Sequence, residues 1–222
     1  MLEPTPRAAK LEAYRDPRVA AEYDARWSGG RGKRRDARKA RALERALEIL
    51  EAAAGVRVRT LLDAPCGTAR FGALWRRLGR AALGADLARA MLAEGRAKHP
   101  AMPCVAADLA RLPFRDATFD AAVCVRFLHL VRAPEQRAVF LRELRRVARL
   151  GVIVDWRHGR TLRVWGRRLR FRAGLRAQAP ANPSLRQIRA EMTAAGFRLV
   201  AILPVRRAPL LSDKVLAVAV PS

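Results

Sequence analysis

The apolar positions of this chain follow two periods. Residues 40–50 repeat at 3.6: Ala40, Leu43, Ala46, Leu47 and Leu50 share one face and predict a helix that Gly55 ends. Beyond Gly55, short apolar runs alternate with amphipathic stretches. The runs 56–62, 81–85, 103–107, 119–125 and 151–155 read as strands, and AAVCV within 119–125 is apolar on both faces, as in strands buried inside a parallel sheet. Between them, 69–78, 88–98 and 134–150 read as helices. Met91 and Leu92 point inward from the second, and Val139, Leu141, Leu144 and Val147 pack from the third.

Such alternation predicts a parallel sheet covered by helices on both faces, with ligands bound at the carboxyl ends of the strands. At the amino-terminal side, 1–9 reads as a loose tail and 10–27 as short helical pieces broken at Pro17. Gly29, Gly30 and Gly32 read as a flexible basic joint, with Asp36 capping the helix that follows. Beyond Asp155 the chain becomes Arg-dense until Pro180, Asn182 and Pro183 interrupt it. Ser184 then caps a helix over 185–195, and 196–205 with 210–220 form two closing strands. One domain is expected: a lid and helix (1–54), a core (55–155), an Arg-rich cover (156–183) and a closing unit (184–222).

The stretch LLDAPCGTARF, residues 61–71, organises the rest. It reads as a strand ending in Asp63, a turn of small residues, and a helix opened by Gly67, which leaves backbone N–H groups at a helix start for a ligand. Asp86 ends the second strand. An acid there can accept from ribose hydroxyls, and it can equally cap the next helix. A lone glycine suits a dinucleotide pyrophosphate poorly, and no phosphate-cradling lysine follows, so nicotinamide and P-loop readings are set aside.

Charge adds a second theme. The 222 residues carry a formal net charge of +25, which suits a polyanionic partner: nucleic acid, an acidic membrane surface or a phosphorylated substrate. Lysine, however, stands only at positions 10, 33, 39, 98 and 214, and so arginine-biased coding explains the same balance. Cys66, Cys104 and Cys124 are separated and lack metal-ligand spacing, which predicts no disulfide, no metal site and a reducing cytoplasm. No apolar run approaches the roughly 20 residues of a spanning helix.

Three blocks in order, LLDAPCGTARF, GADLARAMLAEGRAK and AADLARLPFRDATFDAAVCVRFLHLV, resemble the class I S-adenosylmethionine-dependent methyltransferases, in the small-molecule branch that includes the ubiquinone and menaquinone enzymes. The likeness runs from 56 to 155, and LRQIRAEMTAAGFRLV resembles the family's last helix and strand. It implies a Rossmann-like, mostly parallel seven-stranded α/β sheet with helices on both faces and an antiparallel last strand. It further implies S-adenosylmethionine as cofactor and a small-molecule or lipid-like acceptor; the basic charge leaves an anionic acceptor open. By position, Asp63, Ala64, Cys66 and Gly67 would meet the amino acid end, Asp86 the ribose and Leu87 the adenine. Asp108 and Leu109 would bond the adenine, Val125 and Arg126 would lie near the sulfonium, and Tyr14, Tyr23 and Trp27 resemble an aromatic lid. The chain departs from the family where Pro65 and Ala69 replace glycines, leaving Gly67 alone of three.

A general base helps where the acceptor is a hydroxyl. His129 follows the fourth strand and is the first candidate; His158 with Asp155 is the second, and His99 belongs to the surface. In 156–176, arginines interleave with Trp156, Trp165 and Phe171, while Leu162, Trp165 and Leu169 form an apolar stripe. That mixture suits phosphate pairing, a basic amphipathic helix on acidic lipid, or a solvated face. An RNA methyltransferase and a non-catalytic cofactor-binding scaffold remain the rival readings.

Overall fold

Neighbouring residues of a strand face opposite sides, so a strand apolar at every position needs cover on both. In the computed structural model, which describes residues 12–175, 177, 179, 182–206 and 212–222, that requirement shapes the molecule. The strands are β1 (Thr60–Asp63), β2 (Ala81–Asp86), β3 (Cys104–Ala106), β4 (Phe119–Cys124), β5 (Ala148–Arg157), β6 (Phe197–Pro204) and β7 (Lys214–Pro221). They form a seven-stranded sheet in the order β3-β2-β1-β4-β5-β7-β6. From β3 to β5 every pairing is parallel, and β7 runs antiparallel between β5 and β6.

The described helices are α1 (Pro17–Glu22), α2 (Ala25–Ser28), α3 (Gly30–Ala54), α4 (Gly72–Arg77), α5 (Arg89–Lys98), α6 (Pro134–Val147), α7 (Leu162–Arg172) and α8 (Leu185–Ala194). Leu61, Val123 and Ile153 pack with Leu43, Leu47 and Leu50 of α3 and Trp75 of α4. Their neighbours Leu62, Ala122 and Val152 pack on the opposite face with Leu141 and Leu144 of α6 and Ile188 and Met192 of α8. The expected architecture is therefore the one observed.

Several boundaries differ from the sequence expectation. The glycine joint is absent: Gly29 is the extended N-cap of α3, and Gly30 and Gly32 lie within the helix. Gly32 is buried there, so packing outweighs the roughly 1 kcal/mol that a helical glycine costs. Asp36 caps nothing; it lies inside α3, and its carboxylate receives Arg70. β1 starts only at Thr60, because the Val58 amide turns to the Glu51 carboxylate at 2.8 Å. The helix expected from residue 69 begins at Gly72, and the one expected to reach 150 ends at Val147. Val139 is exposed rather than packed. Ser184 does cap α8, in a capping box with Gln187. Position 180, read as part of the break before it, lies outside the described residues.

Thr161 caps α7 by accepting from the Val164 amide at 3.2 Å. Val164 is fully buried, while Leu162, Trp165, Leu169 and Phe171 stand exposed. Among the described residues no helix is long and apolar enough to cross a membrane.

Candidate active site

The turn after β1 is pinned between two neighbouring strands. The Ala64 amide donates to the Val123 carbonyl and the Cys66 amide to the Ala85 carbonyl, each at 2.9 Å. Gly67 and Ala69 both take positive φ, +57° and +49°. An alanine pays roughly 1–2 kcal/mol for that conformation, which accounts for the glycine that the resemblance leads one to expect at position 69.

Asp86, at the end of β2, closes the turn. One carboxylate oxygen accepts from the Gly67 amide at 2.8 Å and the other from the Ala88 amide at 2.9 Å. Asp86 thus orders the turn and the approach to α5, whose N-cap is Ala88 rather than Asp86 itself, and lone pairs remain on each carboxylate oxygen. Desolvation raises its carboxyl above the ordinary range, against the pull of the Ala88 and Gly67 amides. Asp63 is buried, accepts from Trp75 Nε1 at 3.0 Å, and is pushed up to about 7, chiefly by burial. Asp108 sits at the exposed rim and accepts from the Ala110 amide at 2.9 Å.

These three carboxylates line one cavity of about 280 Å³. The structure places along it every residue assigned above to the cofactor: Asp63, Ala64, Cys66, Gly67, Asp86, Leu87, Asp108, Leu109, Val125, Arg126, Tyr14 and Tyr23. Tyr14 and Tyr23 meet edge to face at 5.5 Å, and Tyr23 and Ala20 pack on Ala88 and Met91. Asp24 anchors this cover by accepting from Thr68 Oγ1 at 2.9 Å and pairing with Lys98. Another part of the wall is apolar: Leu130 adjoins Phe127 and Phe140, whose rings lie 5.0 Å apart.

Trp27 is not part of that cover. With His129 and Asp155 it lines a second cavity of about 160 Å³, which shares Arg70 and Arg126 with the first. Burial alone would raise the Asp155 carboxyl. The Lys39 ammonium, hydrogen-bonded at 2.7 Å, holds it below its ordinary value instead, with His129 adding to the effect. The Arg126 amide approaches the other oxygen at 3.3 Å. The expected His158–Asp155 pair does not form. His158 is buried away from both cavities, its Nε2–H donating to the Ser212 carbonyl at 2.8 Å and its Nδ1 accepting from the Arg160 amide at 3.2 Å. With both ring nitrogens engaged by backbone groups, this imidazole has no nitrogen left to face a substrate.

Two features escaped the sequence reading. Cys66 and Cys104, far apart in sequence, meet beside Gly84, where an added Cβ would lie 2.8 and 2.9 Å from the two sulfurs. Each thiol donates to a backbone carbonyl, Cys66 to Gly67 and Cys104 to Met102, and their proximity raises the Cys66 thiol and lowers the Cys104 thiol. Lys39 and Arg70 also went unassigned, although a lysine in so arginine-rich a chain is itself a signal: Arg carries a forked charge, and a tight single contact to one buried carboxylate suits the compact ammonium.

Residues 62–154 match the family described as a methyltransferase domain. A malonyl-[acyl-carrier protein] O-methyltransferase of Pectobacterium atrosepticum is 35% identical over 111 residues, covering 50% of this chain and 42% of that protein. A demethylmenaquinone methyltransferase of Streptomyces griseus is 37% identical over 91 residues, 41% of this chain and 38% of that protein. The matched region thus spans less than half the length of these curated relatives. Among solved structures, magnesium protoporphyrin IX methyltransferase from Synechocystis with bound S-adenosylhomocysteine superposes with a TM-score of 0.73 at 16% identity, covering 97% of this chain and 99% of that one. A likeness at that identity establishes the fold.

Proposed function

We propose that the chain, whose residues 62–154 match a methyltransferase domain, is a class I S-adenosylmethionine-dependent methyltransferase that methylates a small-molecule or lipid-like acceptor. The observation that carries the proposal is the convergence of Asp63, Asp86 and Asp108, each at or just beyond the end of a neighbouring parallel strand, on a single cavity. Gly67 offers a cradle there. A Cβ built on it would reach only Met91 Cε, at 3.4 Å, so backbone is open to a ligand's close approach. The residues present fit the cofactor.

When bound, S-adenosylmethionine supplies a methyl group on a sulfonium that is already electrophilic. The chain's own work is then positional. Asp86 would hold the ribose hydroxyls, Asp108 and the Leu109 amide the adenine, and Leu87 would cover its face. Asp63 sets the field at the cationic end, and Val125 and Arg126 border the space where the acceptor's nucleophile is aligned. Tyr14 and Tyr23 exclude water from above. Where the acceptor is a hydroxyl, His129, which lines the second cavity next to the shared Arg126, takes the proton; Asp155, tied to Lys39, orients the end of β4 through the Arg126 amide.

Calorimetry with S-adenosylmethionine and S-adenosylhomocysteine tests this. One-to-one binding is expected, and Asp86→Ala should weaken it by at least tenfold, the loss of two charge-assisted hydrogen bonds, with the circular dichroism spectrum unchanged. Absence of binding by both compounds overturns the reading.

A further inference from the structure

The smaller cavity is chemically lopsided. Nine arginine and lysine side chains line it, against the carboxylates of Asp155 and Asp213. Both acids are already engaged, Asp155 with Lys39 at 2.7 Å and Asp213 with Arg167 at 3.5 Å. Among the described residues no carboxylate lies within ion-pair distance of Arg38, Arg126 or Arg157. Three guanidinium groups crowd one indole: Arg70 lies 3.5 Å, Arg126 4.8 Å and Arg35 5.4 Å from the centre of the Trp27 ring. Asp36 neutralises Arg70, and the positive charge that remains beside it repels itself unless a further anion lies in the cavity.

The donors say the same. Trp27 Nε1 and Arg126 Nε are buried with no hydrogen-bond acceptor, and a buried donor left unmet is costly enough to call for a partner. Arg126 is held at φ +64°, a strained conformation for a residue with a side chain and one characteristic of functional sites. Burial, followed by the nearby Arg157, draws the Lys214 ammonium down to about 8. The volume, about 160 Å³, is below the roughly 300–1,000 Å³ of sites for whole ligands. It suits one functional group.

We propose that this cavity binds an oxyanion, the carboxylate or phosphate group of the methyl acceptor. The proposal rests on the methyltransferase reading and names the acceptor's class. Arg70 and Arg126 belong to both cavities, so an acceptor anchored by its anionic end through forked guanidinium contacts presents the rest of itself to the cofactor cleft.

The test titrates pyrophosphate and succinate into the full chain, with and without S-adenosylhomocysteine, by calorimetry and tryptophan emission. Saturable binding of one equivalent is expected, and the tighter of the two names the group. The double variant Arg38→Gln/Arg157→Gln should bind that anion at least tenfold more weakly, as the loss of two charged donors requires, with S-adenosylhomocysteine affinity unchanged within about twofold. Trp27→Phe should remove the emission change. Multiple weak equivalents that the double variant leaves unaltered, or no saturable binding of either anion, overturn the proposal. Failure of S-adenosylhomocysteine to bind condemns the methyltransferase reading instead, while the titration without it still judges the cavity.

Discussion

Asp63 is buried with an indole N–H as its hydrogen-bond partner, and its carboxyl rises to about 7 from the roughly 3.9 of an exposed aspartate. A raised acid binds more protons in the native than in the unfolded state across that window. Its effect on stability is therefore a loss as pH rises from about 4 to 7, at up to roughly 1.4 kcal/mol per unit. Asp63→Asn keeps an acceptor for Trp75 and removes the titration. Thermal unfolding should show the variant more stable than the parent at pH 8, by roughly 1–3 kcal/mol, and less dependent on pH. A cationic ligand beside Asp63 favours the carboxylate, so cofactor binding should release a proton. S-adenosylhomocysteine affinity should accordingly rise from pH 6 to 8 in the parent and stay weak and flat in the variant. Equal slopes in the two proteins would remove Asp63 from the cationic end of the site.

At the scale of elements, α7 is the least settled piece of packing. Only Val164 is buried, whereas Leu162, Trp165 and Leu169 form an exposed stripe flanked by arginines, and Arg163 reaches the second cavity. A helix of this composition is suited to an acidic bilayer, and docking there would set a lipid-like acceptor beside the cleft. Vesicles of phosphatidylglycerol should bind the chain and blue-shift Trp165 emission, neutral phosphatidylcholine vesicles should do neither, and Leu162→Glu/Leu169→Glu should abolish both effects. Binding unaltered by that double variant would show that diffuse charge suffices. The stripe was legible in the sequence, as were the strands, because a run such as AAVCV has no polar face to expose. The glycine joint was misread for the complementary reason. Local propensity favours a break at Gly30 and Gly32, and only the tertiary contact that buries Gly32 decides otherwise. Val139 was misjudged because α6 buries a narrower stripe, with Leu141, Leu144 and Val147 inside.

Across the whole molecule, legibility tracked distance along the chain. The cofactor cleft is built from strand ends and the turns that follow them, each carrying its own local signature, so its residues could be assembled from three blocks. The second cavity draws on α2, α3, the first turn, β5, α7 and β7, and no stretch of sequence brings those parts together. The amino-terminal cover joins the two schemes, since Tyr14 and Tyr23 face the cleft while Trp27 faces the basic cavity. Among the described residues the two sheet cores contain none that precede α3, so the cover is separable from the fold. Deleting residues 1–23 leaves Asp24 to hold Thr68 and Lys98, and Trp27 to serve the second cavity. The truncated chain should unfold cooperatively, losing roughly 2–3 kcal/mol with the buried Tyr23 and Ala20 contacts, and should bind S-adenosylhomocysteine at least tenfold more weakly. Its pyrophosphate affinity should match that of the full chain. Should cofactor affinity survive both this deletion and Tyr14→Ala/Tyr23→Ala in the full chain, the tyrosines only pack, and water is kept from the cleft by something other than α1.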